Sequence, residues 1–195
     1  MIRIFDILFS IVGLLILSPI FLIISIWIKI DSPGAVLFTQ KRVGKGQKLF
    51  SLFKFRTMKI NAHKKGLLTI GKDPRITTSG IFLRKYKLDE LPQLINVLKG
   101  DMSLVGPRPE VEKYTKLYND FQKKLLEVRP GITDPASIYY RNENDLLATS
   151  EDPEKTYIEE VLPHKLKLSE EFAKKPSVKK YFQYIFLTIQ RVFSN

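Results

Sequence analysis

An aspartate and a glutamate stand side by side at Asp89-Glu90. Adjacent carboxylates offer two kinds of chemistry: attack on an electrophile such as phosphorus, or hard oxygen ligation of Mg²⁺. The run Asp89-Glu90-Leu91-Pro92, with Leu94, Ile95, Val97 and Leu98 following at helical spacing, reads as the first turn of a helix that Gly100 ends. In a first turn the backbone N–H groups and the helix dipole favour the ionised form, so both carboxylates are expected to be charged at neutral pH. Acids at helix starts are also ordinary capping residues, so the pair takes its meaning from its company. Arg84 lies upstream, Arg108 is held in Gly106-Pro107-Arg108-Pro109, and Arg129 precedes Pro130-Gly131. Prolines that fix the backbone around an arginine reduce the entropy lost on binding, and the guanidinium fork matches phosphate oxygens in pairs. Lys54 and Arg56 place two further cations on one face of an expected strand, either a solvated edge or more phosphate ligands. Carboxylates among fixed cations suit phosphoryl transfer, in which the protein positions the group and stabilises its charge.

Composition narrows the alternatives. The 195 residues contain no cysteine and only two histidines, His63 and His164, which excludes disulfides, thiol nucleophiles, zinc–thiolate sites and histidine-rich metal centres. No Walker loop, GxGxxG or kinase loop is present, so the site is not a standard nucleotide triphosphatase. The net charge of +12 points to contact with phosphates of nucleic acid, nucleotide or anionic lipid. Residues 142–160 carry seven acids against Lys155 alone, a local −6, so the basic excess belongs to the part that holds the motifs.

Positioning these residues requires a scaffold, which begins with a membrane segment. From Ile7 to Ile28 no residue is charged, and 22 residues give about 33 Å of helix, enough to cross a bilayer. Ser18-Pro19 interrupts its middle, where proline removes a backbone hydrogen bond. Arg3 precedes the run and Lys29, Lys41 and Arg42 follow it, so charge does not choose an orientation. A hairpin entering and leaving by one face fits this symmetry; a spanning, mildly kinked helix and a buried soluble helix are the alternatives.

Beyond Ser32-Pro33-Gly34, strands are expected at Val36–Arg42 and Lys48–Met58 around Gly44-Lys45-Gly46-Gln47. A polar loop follows over Asn61–Thr78, then a helical stretch after Gly80, the Asp89 helix, and a helix over Val111–Val128. Arg129–Thr133 reads as a turn and 142–160 as an acidic loop. Val178, Tyr181, Phe182, Ile185, Phe186, Ile189 and Val192 recur at steps of three and four among basic residues, an amphipathic helix suited either to a membrane interface or to the domain's own core.

Four runs resemble the bacterial sugar transferases, the monotopic phosphoglycosyl transferases: Lys54–Met58, Leu88–Leu94, Asn96–Ser103 and Val105–Pro109. The match extends from Ser18-Pro19 to Thr133 and, more loosely, to the terminal helix; without extra N-terminal membrane helices the chain resembles the minimal form. The resemblance implies an α+β monotopic membrane protein. Residues 1–31 would form a re-entrant membrane helix hairpin, and 32–195 a cytoplasmic catalytic domain with a small β-hairpin, several helices and amphipathic interfacial helices. The domain would rest on the bacterial inner membrane. A Mg²⁺-dependent two-step reaction is implied. Asp89 would attack a UDP-sugar, release UMP and carry the phosphosugar, and undecaprenyl phosphate would then accept it. Asp89 would also lie near Mg²⁺, Glu90 would position the acceptor or assist proton and metal handling, and Arg108 with Lys54, Arg56, Arg84 and Arg129 would hold phosphates.

After Thr133 the chain departs from the family's usual pattern. It reads Asp134-Pro135-Ala136-Ser137-Ile138-Tyr139-Tyr140-Arg141-Asn142-Glu143, with Arg141 and Asn142 standing for the arginine and asparagine of the sugar and nucleotide region. The sugar, the glycan and any homodimer stay open. A non-catalytic basic binding module leaves Asp89-Glu90 among the arginines unexplained, and no nucleic-acid motif is present. Direct single-step transfer, with Asp89 only a metal ligand, is the enzymatic alternative.

Overall fold

A computed structural model describes residues 1–62 and 66–193. His63, Lys64 and Lys65, inside the expected polar loop, lie outside the described residues. Ile2–Asp31 form a single helix of 30 residues, α1, about 45 Å long and long and apolar enough to cross a membrane. The helix assignment runs through Pro19, where two halves were expected. Proline cannot bond the carbonyl of Leu15 four residues back, and the Ser18 hydroxyl donates to that same oxygen at 2.8 Å. The carbonyl orphaned by Pro19 is thereby satisfied by its neighbour.

The two faces of α1 are sorted in reverse of a soluble amphipathic helix. Asp6 and Ser10 are buried against the rest of the chain, whereas Ile4, Leu8, Leu15, Ile16, Leu22, Ile23 and Ile30 are exposed. Both ends are tied down. Arg3 donates to the carbonyls of Val97 and Leu98, and Asp6 Oδ1 accepts from Ser103 Oγ, Leu104 N–H and Tyr181 O–H. At the other end, Asp31 Oδ2 accepts from the backbone N–H and hydroxyl of Ser79, which hold its pKa below the ordinary aspartate value.

Strands β1 (Leu37–Val43) and β2 (Leu49–Phe55) pair antiparallel, Leu37 opposite Phe55 and Val43 opposite Leu49, and Gly46 takes φ 65° in the turn. The second strand ends three residues earlier than expected. Its outer edge is closed by one side chain: Asn96 Oδ1 accepts from Phe53 N–H while Nδ2 donates to Ser51 O. Helices α2 (Thr78–Lys85) and α3 (Gln93–Lys99) follow, and α3 packs along α1. The Asp89 segment is not the first turn of α3. Leu88–Glu90 form a separate 3₁₀ turn, because Lys87 enters with φ 56° and Pro92, at the N-cap, has no N–H to extend the ladder.

The stretch expected as a turn at 129–133 contains a strand. β3 (Ser103–Val105) and β4 (Gly131–Thr133) pair in parallel, and a Cβ on Gly131 would lie 2.1 Å from the Gly106 nitrogen, so the chains meet at two glycines. The expected helix over 111–128 is two short ones, α4 (Glu112–Thr115) and α5 (Asp120–Lys123), because Asn119 and Gln122 form a capping box that restarts the chain. α6 spans Pro135–Tyr139. The acidic 142–160 segment is largely helical: α7 (Glu143–Ala148), α8 (Pro153–Thr156) and a wide turn at Tyr157–Val161 leading into α9 (Leu162–Lys174). Glu143 and Asp145 lie in the first turn of α7 and Glu154 in that of α8, with Asp152 as its N-cap, where helix dipoles favour acids. α10 (Val178–Phe193) matches the expected terminal helix. Of the two roles the sequence left open, packing on the domain is observed: Tyr181 is fully buried and Phe182 meets Phe5 and Phe9 of α1 edge-on, while Phe186 and Ile189 remain exposed.

Asp6→Ala removes one acceptor shared by three donors, two from β3 and one from α10. It is expected to lower stability by roughly 3 kcal/mol, read as a fall in the thermal midpoint in detergent; an unchanged midpoint would show that these bonds do not hold α1 to the domain.

Candidate functional site

The 3₁₀ turn carries alternating instructions. Leu88 and Leu91 pack into the cluster of Ile24, Ile28, Phe55 and Leu83, which sets the turn on α1. Asp89 and Glu90 are also buried, 6% and 7% exposed, among cations. Lys54 Nζ, from β2, donates to Glu90 Oε1 at 2.8 Å, and Arg108 donates from Nη2 to Oε1 and from Nη1 to Oε2 at 3.3 Å. Burial alone would raise the pKa of Glu90, but Arg108 and Lys54 outweigh it and hold the carboxyl well below the glutamate range. Glu90 in turn raises Arg108. Burial lowers Lys54 against the pull of the same carboxylate.

Asp89 differs. Its Oδ1 is buried with no hydrogen-bond partner, and burial raises its pKa above the ordinary aspartate value against the pull of Lys54. The expectation that a helix start would favour ionisation of both acids is therefore corrected for Asp89: desolvation in the tertiary structure outweighs the local backbone. Arg84, in the last turn of α2, donates from Nε to Thr57 Oγ1 at 2.9 Å and from Nη1 to Thr69 Oγ1 at 3.1 Å, and its charge acts on Asp89.

The structure thus gathers Lys54, Arg84, Asp89, Glu90 and Arg108. It does not bring in Arg56, whose guanidinium donates to the carbonyls of Ser32, Pro33 and Ala35. The alternation that would have put it beside Lys54 holds only within a strand, and β2 ends at Phe55. Arg129 sits at the far end of α3, donating to Gly100 O at 3.0 Å, in the lining of a cavity of about 350 Å³ with Lys45, Lys48 and Asp101. Arg141 is directed to the end of α10, toward the carbonyls of Arg191 and Val192, and Asn142 is an exposed residue before α7.

Several residues at this site carried no signal recognised in the sequence. Lys87 acts on both carboxylates from its left-handed position. Behind Arg108, Glu110 accepts from Tyr157 O–H at 2.7 Å and is paired with Arg42 at 3.4 Å and Lys165 at 3.8 Å; Lys165 also donates to Glu143 at 2.9 Å. Glu110, two residues beyond Arg108, could have been suspected from that spacing. Lys165 and Glu143 could not, since only the tertiary fold makes them neighbours.

As a ligand set for Mg²⁺, the cluster offers Asp89 Oδ1, a buried oxygen in want of a partner. Glu90 has both oxygens engaged by cations, and no group of three acids or histidines occurs among the described residues. The fit is to a cation shared between one aspartate and the oxygens of a bound phosphate.

Glu90→Gln leaves Lys54 and Arg108 without their counter-charge and is expected to cost about 3–5 kcal/mol at neutral pH. Because the folded pKa lies below the ordinary value of 4.5, the wild-type advantage is complete above that pH and shrinks as pH falls below it. Thermal midpoints of both proteins across acid pH measure the difference; a gap independent of pH would remove the ion pairs as its source.

A sequence profile described as bacterial sugar transferase matches residues 1–195. The putative undecaprenyl-phosphate N-acetylgalactosaminyl 1-phosphate transferase of Bacillus subtilis is 50% identical over 132 residues, 67% of this chain and 70% of that protein. The UDP-glucose:undecaprenyl-phosphate glucose-1-phosphate transferase of Escherichia coli is 37% identical over 195 residues, and the undecaprenyl-phosphate galactose phosphotransferase of Salmonella typhimurium 43% over 160. These alignments take in 97% and 73% of this chain but only 39% and 33% of the two relatives.

Proposed function

The chain belongs to the bacterial sugar transferase family, and on that premise we propose that it moves a sugar 1-phosphate from a UDP-sugar to undecaprenyl phosphate, releasing UMP, as a first membrane step of glycoconjugate assembly. The observation that carries this reading is a buried carboxylate oxygen without a partner, Asp89 Oδ1, set among Lys54, Arg84 and Arg108. A desolvated carboxylate is a stronger nucleophile than a hydrated one, provided that nearby cations allow it to ionise. Asp89 attacks the sugar-linked phosphorus; the bond to UMP breaks and the phosphosugar stays on the carboxylate as an acyl phosphate. The lipid phosphate then attacks the same phosphorus and frees Asp89. Arg84 and Arg108 take the equatorial oxygens, whose charge grows in the transition state. Glu90 keeps Lys54 and Arg108 aimed at that position. Mg²⁺ held by Asp89 and the donor's phosphates would neutralise charge on the departing UMP.

The re-entrant topology is part of the proposal. A spanning helix would put Arg3 and Asp31 on opposite sides of the bilayer, yet both ends of α1 bond the same domain. That arrangement supports a segment entering and leaving the cytoplasmic leaflet of the inner membrane by one face, its exposed apolar side in lipid and the exposed Phe186 and Ile189 of α10 at the interface.

Membranes bearing the protein, supplied with undecaprenyl phosphate and a panel of UDP-sugars, are expected to release UMP with one or a few donors. Asp89→Asn should abolish release while leaving the thermal midpoint near that of the wild type, and retention of more than a few per cent would rule out Asp89 as nucleophile. A phosphosugar adduct on Asp89 formed with donor alone separates the two-step course from direct transfer. Excess chelator should stop release and Mg²⁺ restore it; full activity in chelator would take the cation out of the mechanism.

Single cysteines placed before Met1 and at Lys41, in a chain that has none, are expected to react only from the cytoplasmic side. Labelling of the N-terminus from the opposite side would overturn the re-entrant topology without touching the catalytic assignment.

A further inference from the structure

We propose that Thr69 is a positioning residue: from the loop between β2 and α2 its hydroxyl holds the Arg84 guanidinium out of an ion pair with Asp89 and in the orientation from which it would meet a phosphate. A largely buried arginine close to a buried carboxylate ordinarily closes onto it, since a charge-assisted pair is stronger than a bond to a neutral hydroxyl. Here Arg84 gives Nε to Thr57 and Nη1 to Thr69, and the carboxylate oxygen Oδ1 of Asp89 is left without a partner. Arg84 and Asp89 form no ion pair, yet each charge acts on the other. A guanidinium held by neutral hydroxyls, with its charge not spent on Asp89, is placed to bind the oxygens of an anion that the carboxylate attacks.

Thr69 can do this because the residues on both sides of it are fixed. Leu68 O accepts from Arg75 Nη2 at 2.6 Å, and Arg75 is itself locked by Asp73. Gly71 N–H donates to Asn144 O of α7 at 3.1 Å. At the loop's neck, Lys59 N–H donates to Arg75 O and Thr77 N–H to Thr57 O, which sets the second hydroxyl. Arg84 is therefore aimed by two threonines of one loop whose far side rests on α7. Neither Thr69 nor the docking of Gly71 touches the carboxylates, so the action runs through Arg84.

The inference rests on the proposed transfer reaction, and its test is a double-mutant cycle on UMP release with the UDP-sugar that the panel identifies. Thr69→Val keeps the shape and removes the hydroxyl; kcat is expected to fall about tenfold, the scale of one hydrogen bond to a charged group, with donor KM changed far less. Thr69→Ser should stay within about twofold of the wild type. In an Arg84→Lys background, where the fork is already lost, Thr69→Val should add nothing. Wild-type kinetics in Thr69→Val, or a loss that multiplies in full with that of Arg84→Lys, would overturn the role assigned to Thr69 while leaving the transferase reading intact. No UMP release from any donor by the unaltered protein would defeat that reading, and this one with it.

Discussion

The site is organised around the burial of Glu90. Taking a carboxylate out of water is costly, and it persists here because Lys54 and Arg108 both bond it. That single requirement brings together β2, the 3₁₀ turn and the Gly106–Pro109 segment, three pieces with no local reason to meet. It also leaves an imbalance, since two cations share one carboxylate and Arg84 and Lys87 stand close by. A site with surplus positive charge in a dry setting attracts phosphates and stabilises the charge that moves during their transfer. The ion set behind it, Glu110 with Arg42 and Lys165, fixes the backbone two residues from Arg108, so the guanidinium is held from both sides.

Helix α1 is part of the same construction. Leu88 and Leu91 seat the reacting turn against Ile24 and Ile28 of α1, while the outward face of those same helical turns is apolar and exposed. A helix that buries Asp6 and Ser10 in the protein and offers hydrocarbon to its surroundings has the pattern expected where the surroundings are lipid. Helix α1 and the carboxylate site therefore share a core.

What the sequence made legible was local. The hairpin, the terminal helix and the gathering of cations around the carboxylate pair could be read because alternation, helical spacing and proline-fixed arginines are properties of adjacent residues. Asp6 was passed over as the flank of an apolar run, since its partners Ser103, Leu104 and Tyr181 lie 97, 98 and 175 residues away. The β3–β4 pairing was read as a turn for the same reason: three-residue strands have no periodicity to detect, and Gly106 and Gly131 reveal their close approach only in three dimensions. The acids of 142–160 looked like a solvated loop because first-turn acids and loop acids are compositionally alike, and Glu143 proved to be half of a pair with Lys165. Arg56 was misread through a rule that held one residue short of it.

Two carboxylates one bond apart in sequence end in opposite electrostatic circumstances, and the backbone explains why. A 3₁₀ turn has about three residues per turn, so neighbouring side chains leave its axis about 120° apart. With Leu88 and Leu91 eclipsed on one side and half-buried against α1, the two remaining directions belong to Asp89 and Glu90. One points at Lys54 and Arg108 and is neutralised. The other lies within the influence of Arg84, where burial raises its pKa and no donor reaches Oδ1. An α-helical first turn would give no such eclipse, and the leucine pair and the acid pair could not be separated so cleanly. The left-handed Lys87 and the missing N–H of Pro92 create the 3₁₀ geometry, and that geometry assigns the two acids to different work.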